Sequence, residues 1–280
     1  MTAVQVEKHY EQTFPNNKCL FTYEGIGTTS KQTIRVMVYL TAPGTGIHFV
    51  LSDLKEEKPV KIPALASHVV NTLRNVTIGQ GSTRLCLVEH FLAAAAFCNA
   101  LDIDVVVDGP ELPLGDGSAL IWLDLFSQAG YKPTLPEKRI ELAEAIFITK
   151  GDRQLIALPA ADFSMTYLMD WSHPCIGKRW CTWTAKQSPL EIASARTFGS
   201  QKEHDLLGIG EGAVSLTETG FSKSLHFEDE PVRHKLLDLL GDLVLTGVNP
   251  LAIQAQFISI KGGHEMDVDL SKQLMNKLKS

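Results

Sequence analysis

The sequence predicts an α+β fold in two domains, on three observations. Strand-like segments precede helix-like segments in each half, and a charged stretch with two prolines, KPTLPEKR (132–139), separates the halves. No regular β-α-β alternation runs along the chain. The domains are therefore expected at 1–133 and 138–280, a division that suits a chain of 280 residues.

In the first half, TIRVMVYLTA (33–42) has the β-branched character of a strand and ends at the turn PGTG (43–46). IHFVLSDL (47–54) reads as a second strand, followed by the charged loop KEEKPVK (55–61). An alanine-rich helix from Val88 to Ala100 leads into the strand LDIDVVVDG (101–109). The turn-rich PELPLGDGSA (110–119) then introduces the helix LIWLDLFSQAG (120–130). The second half opens with the strands ELAEAIFITK (141–150), RQLIALPA (153–160) and FSMTYLMDW (163–171). A helical SPLEIASA (188–195), a glycine-rich stretch and the helix DEPVRHKLLDLLGDLVL (229–245) come next. The strand PLAIQAQFISI (250–260) precedes KGGHEMD and a C-terminal helix. GIG (25–27) and GIGEG (208–212) lack a phosphate-loop lysine or a full dinucleotide fingerprint and read as turns.

A hydrophobic content of 44% and a charged content of 21% fit a soluble globular protein with a real core. The net charge of −6 argues against a protein that relies on non-specific nucleic-acid binding. No signal peptide or integral membrane segment is expected, because FLAAAAF (91–97) is the longest apolar run. Five cysteines without paired CxxC spacing predict reduced thiols and a cytoplasmic enzyme.

The segment 229–245 carries the strongest local chemical signal. At about 100° per residue, His234, Lys235, Asp238 and Asp242 share one stripe, with Leu236, Leu237, Leu239, Leu240, Leu243 and Val244 on the opposite arc. Aspartate is a poor helix former, so two on one stripe is an unusual choice for a solvated face. A histidine and a carboxylate four residues apart can converge on one metal ion, although an isolated pair of this kind more often decorates a surface helix. Glu89 and His90 in LVEH (87–90) offer a base and a ligand, or simply a dipole-favoured glutamate beside a satisfied histidine. His264 in KGGH (261–264) stands beyond a strand end, as a site residue or in an exposed turn. Thr197 in ARTFGS (195–200) is a helix-terminal cap or an oxyanion donor. The remaining histidines have no partner at a telling spacing.

The succession of these segments is more specific than any one of them. VEHFLAAAAF, ELPLGDGSA, ARTFG, FEDEPVRHKLLDLLGDL and KGGH, in this order, resemble the zinc-dependent UDP-3-O-acyl-N-acetylglucosamine deacetylases of lipid A biosynthesis. The resemblance extends from about Gly25 to the C-terminal helix. It implies two α+β domains packed sheet to sheet with helices outside, an α/β/β/α sandwich with the site between the domains. It makes His90, His234 and Asp238 the metal ligands, which leaves a fourth position open as in catalytic zinc sites. Zinc is the implied ion, and ferrous iron suits the same ligand set. Glu89 falls on the general base and His264 on the general acid, oriented by Asp242. Thr197 would stabilise the oxyanion, Lys235 would add positive charge, and Phe198 and Lys261 would contact a nucleotide-sugar substrate. No nucleic-acid partner is implied.

The chain also departs from the family pattern. Thr29 in GIGTTS stands where the family carries a histidine, and NVTIG (75–79) differs from the usual segment. The stretch SQKEHDLLGIGEGAVSLTETGFSKSLH (200–226) is shorter than the family insert that shapes a passage for the acyl chain. Two alternatives follow: a deacetylase of a different or non-acylated N-acetyl sugar, and a non-catalytic paralogue that binds a metal or ligand.

Overall fold

A computed structural model describes residues 3–51, 59–209 and 212–278. Most of the predicted loop at 55–61, the end of the strand predicted at 47–54 and part of GIGEG lie outside the described residues.

Helix α1 (Ala3–Thr13) is followed by β1 (Cys19–Ile26), β2 (Thr33–Leu40), β3 (Ile47–Leu51) and β4 (Val60–Pro63). A small meander, β5 (Val69–Asn71), β6 (Thr77–Gln80) and β7 (Thr83–Cys86), leads into α2 (Glu89–Phe97), β8 (Ile103–Val107) and α3 (Leu120–Gln128). After the predicted linker come β9 (Ile140–Glu141), β10 (Ile146–Lys150), β11 (Arg153–Pro159), β12 (Ser164–Trp171) and β13 (Gly177–Thr184). Helix α4 (Leu190–Ala193), β14 (Phe198–Ser200), α5 (Gln201–Leu207) and β15 (Val214–Leu216) precede α6 (Glu230–Val244). Strand β16 (Ile253–Ile260) and α7 (His264–Lys277) complete the order.

The first half forms a five-stranded sheet in the order β1-β2-β8-β3-β4, with β8 antiparallel to β2 and parallel to β3. Central β8 is buried at every residue, as its apolar run IDVVV requires of a strand covered on both faces. Its one charge, Asp104, is compensated by Lys61 Nζ at 2.8 Å and the Tyr10 hydroxyl at 2.7 Å. Tyr10 brings α1 onto this face, where it joins a small cluster with Met37, Tyr39, Val50 and Val106. The second half forms a sheet in the order β10-β11-β16-β12-β13, with β9 paired to the start of β16. Strand β16 alternates buried and half-buried positions, so one face of this sheet meets the core.

The mixture of helices and sheets agrees with the α+β expectation, but helices α2 and α6 are interior rather than an outer layer. All nine residues of α2 are buried, and it packs directly on α6. Phe91 of α2 lies 5.9 Å from Phe49 of β3, while Phe97 lies 5.7 Å from Trp183 of β13. The helix thus touches both sheets, which is why it is apolar all round. Its alanines allow the close approach: a Cβ at Gly241 of α6 would collide with the Glu89 carbonyl. Helix α6 packs on β12, β13, α2 and α7, and its leucines are buried. One contiguous apolar core runs through both halves.

Several elements are absent from the sequence reading, including α1, α5 and the short strands β4–β7, β14 and β15. Strands of three or four residues offer too few positions for an alternating pattern. Gly25 and Ile26 belong to the end of β1 and not to a turn. Gly25 is needed there because Pro113 packs where a side chain would begin.

Candidate active site

Each motif shared with the family has a local physical task. In ELPLGDGSA, Glu111 is fully buried and accepts hydrogen bonds from the backbone N–H groups of Thr29 (3.0 Å) and Ser30 (2.7 Å). A glutamate 82 residues away thereby shapes the loop carrying Thr28 and Thr29. Gly117, at φ +92°, turns the chain in the left-handed region, and its carbonyl accepts from the Thr197 N–H at 2.7 Å. In ARTFG, Arg196 grips Glu230 at the first turn of α6, with Nε–Oε1 at 2.8 Å and Nη2–Oε2 at 3.0 Å. Glu230 also accepts from the backbone N–H groups of Arg196 and His226. Burial opposes its charge, but Arg196 and these N–H groups outweigh that and hold its carboxyl below the usual range.

Helix α6 then presents the predicted stripe. His234, Asp238 and Asp242 are buried, and α2 brings Glu89 and His90 against them. The imidazole rings of His90 and His234 meet edge to face at 5.0 Å. Asp238 Oδ1 lies 3.5 Å from His90 Nε2 and 3.3 Å from His234 Nε2. One ligand atom from each of the three falls within 4.8 Å of the others. Asp238 Oδ1 is buried and, among the described residues, has no hydrogen-bond partner. Such an oxygen, faced by two imidazole nitrogens, is what a divalent cation would satisfy.

The surrounding contacts prepare these side chains for that role. His234 Nδ1 is 2.9 Å from the Ala195 carbonyl, so Nδ1 carries the proton and Nε2 is left with its lone pair. Burial pushes the His234 imidazole down to about 4, which keeps it neutral. Burial also opposes the charge on Asp238, but His234 and Lys235 outweigh it and hold the carboxyl well below its usual value. Lys235 Nζ donates to Asp238 Oδ2 at 2.7 Å.

His264 is the first residue of α7, and its Nδ1 lies 2.7 Å from Asp242 Oδ2. Its Nε2 points back toward Asp238, 3.9 Å from Oδ2. Burial disfavours its charged form, yet the charge on Asp242 and the hydrogen bond to it raise His264 to about 10. The imidazole is therefore protonated at neutral pH. Glu89 Oε2 accepts from the Val76 N–H at 3.1 Å, which fixes the carboxylate beside His90.

A cavity of about 410 Å³ opens onto this cluster, lined in part by Glu89, His90, Thr197, Phe198, His234, Lys235 and Asp238. Its volume is in the range of small-molecule sites. Three expected residues are not part of its lining: Asp242 and His264 are buried behind Asp238, whereas Lys261 stands apart from the cluster and pairs with Asp152 on the surface, near Asp170. Trp171, Arg74, Glu203 and His204 do line it without having been anticipated. His204 owes its place to a hydrogen bond with Ser215, 2.7 Å away and 11 residues on, a spacing with no local signature.

The chain matches the family model for UDP-3-O-acyl N-acetylglycosamine deacetylase over residues 17–276. Three relatives carry the name UDP-3-O-acyl-N-acetylglucosamine deacetylase. The one from Thermosynechococcus vestitus is 34% identical over 262 residues, 90% of each chain. That from Leptospira biflexa is 33% identical over 272 residues, covering 92% of this chain and 88% of its own. That from Synechocystis is 34% identical over 271 residues, 92% of this chain and 96% of its own. Similarity at this level, sustained from end to end, makes the chain a member of the UDP-3-O-acyl-N-acetylglucosamine deacetylase family.

Proposed function

We propose that this chain hydrolyses the acetamide of a UDP-3-O-acyl-N-acetylglucosamine-type nucleotide sugar in lipid A biosynthesis, using one divalent ion held by His90, His234 and Asp238. Zinc is the favoured ion, with ferrous iron compatible with the same ligands. The observation that carries the reading is the convergence of two imidazoles and a buried carboxylate oxygen, unpartnered among the described residues, at the wall of one cavity. When bound, the ion supplies Lewis acidity toward the carbonyl and an acidified water.

The chain's own groups supply the rest. Glu89 takes the proton from the attacking water, and its carboxylate stands next to the ligand His90 in the cavity wall. The Thr197 hydroxyl donates toward the oxyanion that forms at the former carbonyl. His264 gives its Nε2 proton to the departing amine, while Asp242 keeps the ring in place through Nδ1. Lys235 holds positive charge at Asp238, and Phe198, 5.8 Å beneath its ammonium, forms a wall for the sugar. The catalytic groups are drawn from two domains, 1–133 and 138–280, which the ion would tie together. The cytoplasmic setting expected from the unpaired cysteines belongs to the same proposal.

The test is turnover of UDP-3-O-acyl-N-acetylglucosamine by the metal-loaded protein and by Glu89→Ala and His264→Ala. Each variant is expected to lose about 10²–10⁴-fold in rate with its metal retained. A near-normal rate in either variant overturns the role given to that residue. Running non-acylated UDP-N-acetylglucosamine in parallel decides the substrate, because equal turnover of both would favour the non-acylated alternative.

A further inference from the structure

A buried acid beside His264 has no part in the proposed mechanism. Asp267 lies one turn along α7 from His264, a spacing of three residues that puts both on one helix face. It is 1% exposed, and an oxygen of Asp267, an oxygen of Asp242 and a ring nitrogen of His264 lie within 4.8 Å of one another. Two buried carboxylates cannot both be ionised at such a separation without a large cost, so the pair must bind a proton.

Two further observations locate that proton. Asp242 Oδ2 already faces the charged His264 ring at 2.7 Å, which favours the anion on Asp242. Asp242 Oδ1 and Asp267 Oδ1 are both buried and, among the described residues, lack a hydrogen-bond donor. A single proton on the Asp267 carboxyl lets it donate to Asp242. The groups that face Asp267 agree with this. Asp238 and Asp242 on α6 add negative charge there, against the positive charge of Lys235 and His264. Tyr167 on β12 and the Ser259 hydroxyl on β16 are neutral. Burial raises both carboxyls of the pair, the direction that a shared proton requires.

We propose that Asp267 is a positioning residue that stays protonated and donates a hydrogen bond to Asp242, so that Asp242 holds one charge in a fixed orientation toward His264. Asp267 acts through Asp242 and does not touch substrate. The reason for a neutral donor at this place is geometric: an Asp242 carboxylate held by His264 alone could rotate about its side-chain torsion, and the imidazole would swing with it. The Ser271 hydroxyl already ties α7 to the backbone of α6, donating to the Asp242 carbonyl at 2.9 Å. The Asp267 hydrogen bond completes that tie at the side-chain level.

The kinetic arm of the test rests on the deacetylase reading, and the spectroscopic arm does not. Infrared spectra of the metal-loaded full-length protein at neutral pH are expected to show the carbonyl stretch of one buried protonated carboxylic acid. That band is expected to vanish in Asp267→Asn. The asparagine amide still donates to Asp242, so kcat and KM are expected to stay near wild type. Asp267→Ala removes the donor and is expected to lower kcat by about 10–100-fold with KM unchanged. Absence of the band from the wild type overturns the proposal, as does a loss in Asp267→Asn as deep as in Asp267→Ala, or full activity in Asp267→Ala. Should Asp267→Ala fail to fold, the band and Asp267→Asn still decide. A wild type that shows the band but turns over no nucleotide sugar would sink the proposed function and leave the Asp267 assignment standing.

Discussion

Helix α6 and the segment β14–α5–β15 contribute two walls of the same cavity and are held in place by different physics. Helix α6 is buried along nearly its whole length, anchored at its start by the Arg196–Glu230 pair and pressed against α2 with no room for a Cβ at Gly241. The other wall is a two-stranded parallel pair of three residues each with a short helix between them. Its helix begins at a Ser200 cap and ends at Gly208 in the left-handed region, and Leu206 is 81% exposed. Among the described residues, two polar contacts join it to the first half: Arg74 to Glu203 at 3.1 Å, and Lys31 to the Gly208 carbonyl. In the proposed reading, chemistry would sit on packed helices, where side chains cannot drift, and substrate selection on a light peripheral segment. Sites on rigid elements hold geometry better than sites on loops.

The sharpest way to break this contrast is to attack the anchor of α6. Glu230→Gln leaves the guanidinium of Arg196 buried without its charge partner, a loss of about 3–5 kcal/mol. Thermal or denaturant unfolding reads it directly. The pH dependence has a defined sign. The folded-state value of Glu230 lies below its ordinary 4.5, so its contribution is fully present above that pH. It is lost as the pH falls through the lower folded-state value. Glu230→Gln is expected to lack that acid-side loss. Equal stability of variant and wild type at neutral pH would remove the anchor from the comparison.

Cutting the clasp on the other wall is expected to do far less to the fold. Arg74 and Glu203 are each about half exposed, and an exposed pair contributes about 0–1 kcal/mol. Arg74→Ala should leave unfolding almost unchanged while altering KM more than kcat, since Arg74 lines the cavity but is not one of the clustered groups that could hold an ion. A fall in kcat with unchanged KM would show that this wall takes part in the chemistry, and the division of labour would fail.

The same contrast explains what could be read from the sequence. The α6 stripe was legible because helical periodicity fixes which side chains share a face, and His90 and His264 joined it through the order of the family motifs. The interior position of α2 was less legible: an alanine-rich apolar run states that a helix is buried but not between which layers. Arg196 with Glu230, and Glu111 with the loop at Thr29, are pairings across 34 and 82 residues that no local pattern encodes. His204 reaches the cavity through Ser215, and Asp267 acquires its meaning only when α7 docks on α6. Lys261 was expected at substrate and is drawn instead to Asp152. Local periodicity aligns His234 with Asp238, while the contacts that hold them come from the fold.

The central assignment is the metal site itself, and metal stoichiometry measures it most directly. Equilibrium dialysis against zinc should find one tightly bound ion per wild-type chain, and none in Asp238→Ala, where the carboxylate oxygen between His90 and His234 is gone. Tight, stoichiometric zinc binding by Asp238→Ala would contradict the assignment.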